Sequence, residues 1–337
     1  MEPSVIDLDT KIQFLSQAGS YPEPTTNVDI ISTHMSCVFL TDDFVYKLKK
    51  PIQLSFLDFR SLNERRHYCE ESFRLNKRLA KDVYLSVVPL TLDTQGSLHI
   101  AGDGTAVEWL EKMRRLPDEL MLNRAIKETA VSTDDIRRFM AVLIDFYDSA
   151  KPVKITAQAY RQRFIADIEA NFQVLRDRIY GLPEEQLKRL STALLGFVKD
   201  QAPLFDARVE AQRIVEAHGD LRPEHVCLLP QPVFIDCLEF DPELRVLDCV
   251  DELAFLAMEC KRAGAEFIGE VMFDAYRAST DDTPPPALIA FYKAHRAVVR
   301  SKLSAWHILD YPTVEHPTWI QRAKIYLSLA EAYTREF

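Results

Sequence analysis

The sequence predicts an α+β protein made of a small N-terminal lobe, residues 1–115, and a larger, mostly helical C-terminal lobe, residues 116–337. Short runs of β-branched and aromatic residues separated by turns dominate the first lobe. Apolar residues at helical spacing dominate the second. A length of 337 residues also predicts about two lobes, at roughly 150 residues each.

The first lobe is predicted to hold an antiparallel sheet and one helix. Thr41-Asp42-Asp43 forms the turn of a hairpin, and Pro51 ends its last strand. Ser61-Leu62-Asn63-Glu64 is a capping box that starts the helix, which runs to about residue 80. The predicted strands cover residues 28–31, 37–40, 44–48, 83–90, 98–100 and 107–114.

The second lobe is predicted to be a set of helices interrupted once. The helical period breaks at residues 217–226, and Pro232–Asp236 is a short strand. The predicted helices cover residues 132–149, 157–180, 184–200, 204–216, 249–278, 287–304 and 318–335.

Composition and charge exclude several classes of protein. The formal net charge is −10, which disfavours nucleic acid as a partner. Residues 116–337 carry most of it, with 27 basic and 35 acidic side chains, so a cleft there attracts cations rather than anions. No apolar run reaches the 18 or so residues of a membrane span, and the N-terminus does not read as a signal peptide.

Cysteine usage indicates the redox compartment, and glycine usage disfavours two kinds of nucleotide site. The six cysteines are scattered and lack C-x-x-C spacing, which indicates buried free thiols in a reducing cytoplasm. Glycine is scarce, with 9 residues, and none falls in G-x-G-x-x-G or G-x-x-x-x-G-K-[ST]. A Rossmann dinucleotide site or a P-loop is therefore unsupported.

The interruption in the helical lobe carries the most informative motif. It reads His218-Gly219-Asp220-Leu221-Arg222-Pro223-Glu224-His225, and Phe234-Ile235-Asp236 follows. The loop resembles H-G-D-x-H-x-x-N of aminoglycoside phosphotransferases and choline kinases, and H-R-D-L-K-P-E-N of protein kinases. The strand that follows resembles the metal-binding Asp strand of the same superfamily.

Three further segments are similar to an uncharacterised bacterial branch of aminoglycoside phosphotransferase-like proteins. They are Val45–Pro51, Arg74-Leu75-Asn76 and Asp251–Leu256. Some members of that branch carry an added P-loop kinase domain, which this sequence lacks. The resemblance spans about residues 28–335 and implies a protein-kinase-like bilobal fold.

The resemblance implies roles for the charged residues of both lobes. Asp220 would accept the proton of a hydroxyl or orient it, and Arg222 would neutralise charge on the transferred group. Lys47 would reach the α- and β-phosphates of ATP. Glu71 would pair with Lys47, with Glu70 as the alternative.

The resemblance also implies a metal site. Asp236 would hold Mg²⁺ against the phosphates. His225 stands where the superfamily has a metal-binding Asn, and imidazole suits Mn²⁺ or Zn²⁺ better than Mg²⁺, so a loop-bracing hydrogen bond is the alternative role. Glu239 is a possible additional ligand. Asp248 is expected to brace the catalytic loop, with Asp251 as the competitor.

Two nucleotide contacts are expected outside these motifs. The bend between the first two strands has no glycine, and Thr33 and Ser36 offer hydroxyls to the phosphates there. Close backbone approach is harder without glycine. Met113 is expected at the hinge, near the adenine.

Taken together, these expectations describe a cytoplasmic ATP-dependent phosphotransferase. Its acceptor would be the hydroxyl of a small molecule, with a mild preference for a cation, and its cofactors ATP and Mg²⁺, or Mn²⁺. His225 and the glycine-free bend support an alternative, a nucleotide-binding pseudokinase without turnover. A third hypothesis is a partner-binding scaffold that has lost the nucleotide. The oligomeric state is left open.

Overall fold

The computed structural model describes residues 6–54, 57–310 and 312–337, which form two compact units. The first unit comprises the described residues up to Met121 together with residues 233–242. The second comprises residues 122–232 and 243–337. The predicted α+β class is confirmed, with an antiparallel sheet in the first unit and mostly helices in the second.

The first unit is built around an antiparallel sheet with strand order β1-β2-β3-β8-β6-β7. Helix α2 begins after Ser61, whose hydroxyl accepts from the Glu64 amide at 3.1 Å. The elements of this unit are α1 (Leu8–Leu15), β1 (Asp29–Ser32), β2 (Ser36–Leu40), β3 (Phe44–Lys49), β4 (Gln53–Leu54), β5 (Leu57–Asp58), α2 (Leu62–Asn76), β6 (Tyr84–Leu92), β7 (Leu98–Ile100), β8 (Thr105–Arg114) and, later in the chain, β11 (Val233–Phe234).

A buried acid anchors two helices of the first unit to the sheet. Glu108 of β8 accepts from the Lys11 ammonium of α1 at 2.8 Å and from the Arg65 guanidinium of α2 at 2.7 Å. All three side chains are at most 8% exposed. One buried carboxylate therefore serves as the ion-pair partner of two buried cations.

The second unit consists mainly of helices. Asp135 and Ser132 form a full capping box at the start of α4. The elements are α3 (Leu122–Lys127), α4 (Thr133–Ser149), α5 (Ala157–Leu175), α6 (Glu184–Asp200), α7 (Ala202–Glu210), β9 (Ile214–Glu216), β10 (Val226–Cys227), β12 (Val246–Asp248), α8 (Cys249–Arg262), α9 (Glu266–Ser279), α10 (Pro286–Asp310) and α11 (His316–Tyr333).

Several predicted helix boundaries are wrong for a local backbone reason. The helix predicted over 204–216 ends at Glu210, because Gln212 adopts a φ of 57° and the next residues pair with β12 instead. The helix predicted over 249–278 is divided at Gly264, whose φ is 88°. Helix α1 was not predicted.

The structure also bears on the predictions made for the cysteines and for membrane spans. All six cysteines are buried free thiols, as predicted. In the described part of the chain, no helix is both long and apolar enough to cross a membrane.

Replacing Glu108 by Gln should lower the free energy of unfolding by about 3–5 kcal/mol, because two buried cations lose their anion. Urea denaturation measures this change. The matched control is Glu70→Gln on α2, since Glu70 pairs with Arg66 where both side chains are about half exposed. That substitution should cost under about 1 kcal/mol. Equal costs for the two variants would contradict the anchoring role of Glu108.

Candidate functional site

Two lysines on one face of β3 form the centre of a charged cluster in the first unit. Lys47 donates to Oδ1 of Asp236 at 2.6 Å. Lys49, two residues on and only 1% exposed, pairs with Glu111 of β8 at 3.0 Å and with Glu239. Burial lowers the pKa of Lys47, but the neighbouring carboxylates raise it, with a net rise above the ordinary value. Both lysines are therefore charged in the folded protein.

The backbone around Asp236 is fixed by side chains of the first unit. Asp236 has a φ of 63°, a left-handed conformation that Asp tolerates better than most residues. Its amide donates to the Tyr84 hydroxyl at 3.0 Å, and the Cys237 amide donates to Oδ1 of Asn76 at 2.9 Å. The Asp236 carboxylate is thereby held at Lys47 while remaining 45% exposed.

The chemistry of Asp236 fits a hard divalent cation. Mg²⁺ is usually held by one or two carboxylates together with phosphate oxygens and waters, rather than by an all-protein cage. Among residues 6–54, 57–310 and 312–337, no group of three or more His, Cys, Asp or Glu side chains is arranged to hold a metal ion. A half-exposed carboxylate beside a charged lysine suits a metal that arrives with phosphates.

The motif loop of the second unit carries an ion pair within three residues. Arg222 donates to Oδ2 of Asp220 at 2.9 Å and also pairs with Glu224. Burial raises the pKa of Asp220, but the positive charge and the hydrogen bond of Arg222 lower it by more, to about 2. Asp220 is thus a carboxylate at neutral pH, and its side chain remains 30% exposed.

His225 is engaged by the same loop. Nδ1 lies 2.7 Å from the Asp220 carbonyl oxygen, and Nε2 lies 3.3 Å from Nη2 of Arg222. A guanidinium only donates, so Nε2 accepts and Nδ1 carries the proton. This is the bracing geometry that was the alternative to metal ligation, and ligation by His225 stays a prediction.

Glu252 of α8 supports the loop through hydrogen bonds, a role that was not predicted. Oε1 of Glu252 accepts from the backbone amides of His218 at 2.9 Å and Gly219 at 2.7 Å. Oε2 accepts from the Tyr147 hydroxyl at 2.8 Å. A buried acid on α8 therefore accepts hydrogen bonds from two backbone amides of the loop.

The predicted bracing role of Asp248 or Asp251 is wrong. Asp248 caps α8 and receives two bonds from Arg208, whereas Asp251 forms a two-bond pair with Arg296. Glu252 lies within the Asp251–Leu256 motif, so the sequence signal was present. Spacing alone did not separate three neighbouring acids.

The predicted partner of Lys47 also differs in the structure. Glu71 forms a two-bond pair with Arg74 of its own helix, and Lys47 pairs with Asp236 instead. Glu111 of β8 is the carboxylate that the sheet itself places near Lys47. Because Lys47 lies directly opposite Glu111 in the β3–β8 register, cross-strand pairing of the predicted strands was the signal for Glu111.

The remaining predicted nucleotide contacts lie in the first unit. The Thr33 hydroxyl accepts from the Ser36 amide at 3.0 Å and closes the bend. Met113 lies near the end of β8, opposite Val45 and Tyr84. A role for Thr33, Ser36, Met113 or Glu71 in binding nucleotide stays a prediction.

Two relatives of this chain are named as uncharacterized proteins. No family model matches the chain. Proteins of Mycobacterium tuberculosis and Mycobacterium bovis are each 31% identical over 281 residues, which is 82% of this chain and 54% of theirs. The chain thus spans about half the length of the curated relatives it matches.

Solved structures show the fold. A choline/ethanolamine kinase family protein from Mesorhizobium loti gives a TM-score of 0.52 at 14% identity, over 96% of this chain and 99% of that one. An ethanolamine kinase of Plasmodium vivax gives 0.53 at 11%, over 90% and 81%. The GDP complex of aminoglycoside 2′-phosphotransferase-IIIa gives 0.50 at 13%, over 97% and 99%.

The Asp220–Arg222 pair should make stability depend on acid pH. Because the pKa of Asp220 falls from 3.8 to about 2 on folding, its contribution is complete above about pH 4 and is lost as the pH falls towards 2. At neutral pH it amounts to about 2 kcal/mol. The free energies of unfolding of wild type and Asp220→Asn, measured by urea denaturation, should therefore converge as the pH falls from about 4 towards 2. A difference that does not change with pH would contradict the pairing.

Proposed function

From the protein-kinase-like fold of this chain, we propose that it is an ATP-dependent phosphotransferase that acts on a hydroxyl group of a small molecule. The observation that carries the proposal is the ion pair between Lys47 and the half-exposed Asp236. Phosphoryl transfer depends on positioning and on charge neutralisation. A fixed lysine beside a carboxylate open to a metal meets both needs.

In this proposal the first unit binds the nucleotide. Lys47 donates to a phosphate oxygen, and Lys49 pairs with the neighbouring Glu111. Mg²⁺, when bound, supplies charge neutralisation at the phosphates, with Asp236 as its protein ligand. Tyr84 and Asn76 keep the Asp236 backbone in place.

The loop of the second unit acts on the acceptor. With a pKa of about 2, Asp220 is a weak base but a permanent acceptor, so it orients a hydroxyl rather than removing its proton early. The positive charge of Arg222 lies next to Asp220 and stabilises negative charge on the transferred group. Glu252 keeps the loop backbone fixed while these contacts change.

A cationic acceptor is the proposed substrate class. The solved neighbours include enzymes named for choline, ethanolamine and aminoglycosides. The excess of acidic residues over 116–337 favours such an acceptor electrostatically.

A nucleotide-binding protein without turnover is the second candidate. The observation that favours it is the position of His225, whose two ring nitrogens face the Asp220 carbonyl and Arg222. An imidazole committed to the loop does not replace the Asn that serves as a metal ligand in the family it resembles.

Nucleotide binding is tested by a thermal-shift titration with ATP in the presence of Mg²⁺, Mn²⁺ or no metal. Ligand at about 100 times its dissociation constant should stabilise by roughly 2.7 kcal/mol. Asp236→Asn should abolish the metal-dependent part of the shift. Asp103→Asn, an exposed carboxylate of the same unit, is the control and should leave it intact. A shift that is the same in both variants would refute the metal role of Asp236.

Turnover is tested by ADP release with a panel of choline, ethanolamine and amino sugars. Asp220→Asn should lower the rate by about 10²–10⁴-fold while ATP still raises the melting temperature. The control is Asp145→Asn, an exposed position of α4. ATP binding without turnover of any acceptor by wild type would favour the second candidate, and an unimpaired Asp220→Asn enzyme would contradict the role of the loop.

A further inference from the structure

A cavity lies wholly within the second unit. Its volume is about 210 Å³. Its walls come from the ends of α4, α7 and α9, the start of α8, and β9. Tyr147, Cys249 and Tyr276 are buried, whereas Asp148 and Gln212 are exposed, so the cavity opens to solvent.

The wall of the cavity includes Arg213, whose one ion pair among the described residues is long and shared. Among the described residues, the buried Nε of Arg213 has no hydrogen-bond partner. Its nearest acid, Asp282, lies 3.8 Å away. Both oxygens of Asp282 already accept from Arg208, and one also accepts from the Tyr276 hydroxyl. The Arg213 side chain is 27% exposed and lines the cavity, so its guanidinium favours a ligand that carries an anionic acceptor.

The size and walls define the rest of the ligand. A cavity of roughly 150 Å³ holds a benzene molecule, so this one accommodates a single ring with one substituent. Ile144, Tyr147 and Tyr276 supply apolar and aromatic wall, and Asp148 at the mouth disfavours a second negative charge.

The wall of the cavity is also joined to the motif loop. Tyr147 lines the cavity, and its hydroxyl donates to Glu252 at 2.8 Å. Glu252 in turn accepts from the amides of His218 and Gly219. Two hydrogen-bond steps therefore separate a ligand in the cavity from the backbone of the loop.

We propose that this cavity is an effector site for a small ring-bearing carboxylate, and that its occupancy is transmitted to residues 218–219 through Tyr147 and Glu252. The carboxylate pairs with Arg213, and the ring fills the space between Tyr147 and Tyr276. The ring restricts Tyr147 and so strengthens its bond to Glu252. The proposal does not depend on phosphotransferase activity, because both of its parts have structural readouts.

Binding is tested with benzoate as the probe, and with benzamide and benzylamine as its neutral and cationic counterparts, by thermal shift and by titration followed by NMR. Benzoate should stabilise wild type more than either counterpart. Arg213→Gln should weaken benzoate binding by about tenfold. Asp148→Asn, the matched control at the mouth, should leave it unchanged or strengthen it.

A second variant guards against misfolding of Arg213→Gln. Ala211→Trp places a large side chain at an exposed position of the rim without changing any charge, and it should block benzoate. Equal stabilisation by benzamide, or benzoate binding that survives Ala211→Trp, would overturn the site.

The connection to the loop is tested by amide hydrogen exchange. Saturating benzoate should slow exchange at His218 and Gly219 in wild type. In Tyr147→Phe, benzoate should still bind, but its effect on these two amides should disappear. If saturating benzoate does not change the exchange rate of either amide in wild type, the proposed coupling is overturned.

Discussion

The bond between Lys47 and Asp236 is the constraint on which the account depends. It joins residues 189 positions apart in the chain and belongs to a cluster of two ammonium groups and three carboxylates. Buried lysines are tolerable only with such partners, so the segment that follows β11 must return to the sheet of the first unit. The left-handed backbone at Asp236 and the bonds that the Asp236 and Cys237 amides donate to Tyr84 and Asn76 accompany that return.

In the second unit, the corresponding contacts involve backbone amides of the motif loop rather than charged side chains. Glu252 of helix α8 accepts from two backbone amides of the motif loop. Asp220 and Arg222 of the same loop pair with each other, with side chains 30% and 17% exposed. Glu252 also connects the loop to Tyr147, which lines the cavity.

The sequence predicted the fold class, the sheet strands and most helices, because alternation and helical periodicity report burial directly. It predicted Asp220, Arg222, Lys47 and Asp236 as candidates, because their spacing is a recognisable motif. It did not predict which neighbouring acid does what. Glu71, Asp248 and Glu252 all lie at plausible spacings, and their partners are chosen by packing between elements far apart in the chain. The positive φ angles that end α7 and separate α8 from α9 left no pattern strong enough to place these breaks.

The central claim is transfer of the γ-phosphoryl group of ATP to a small hydroxyl compound. The most direct measurement is ³¹P NMR spectroscopy of ATP and Mg²⁺ incubated with the protein and a mixture of choline, ethanolamine and amino sugars. The account predicts that the γ-phosphate resonance is replaced by a phosphomonoester resonance, and that Asp220→Asn suppresses this change. An ATP spectrum that stays unchanged with wild type at saturating acceptors would contradict it.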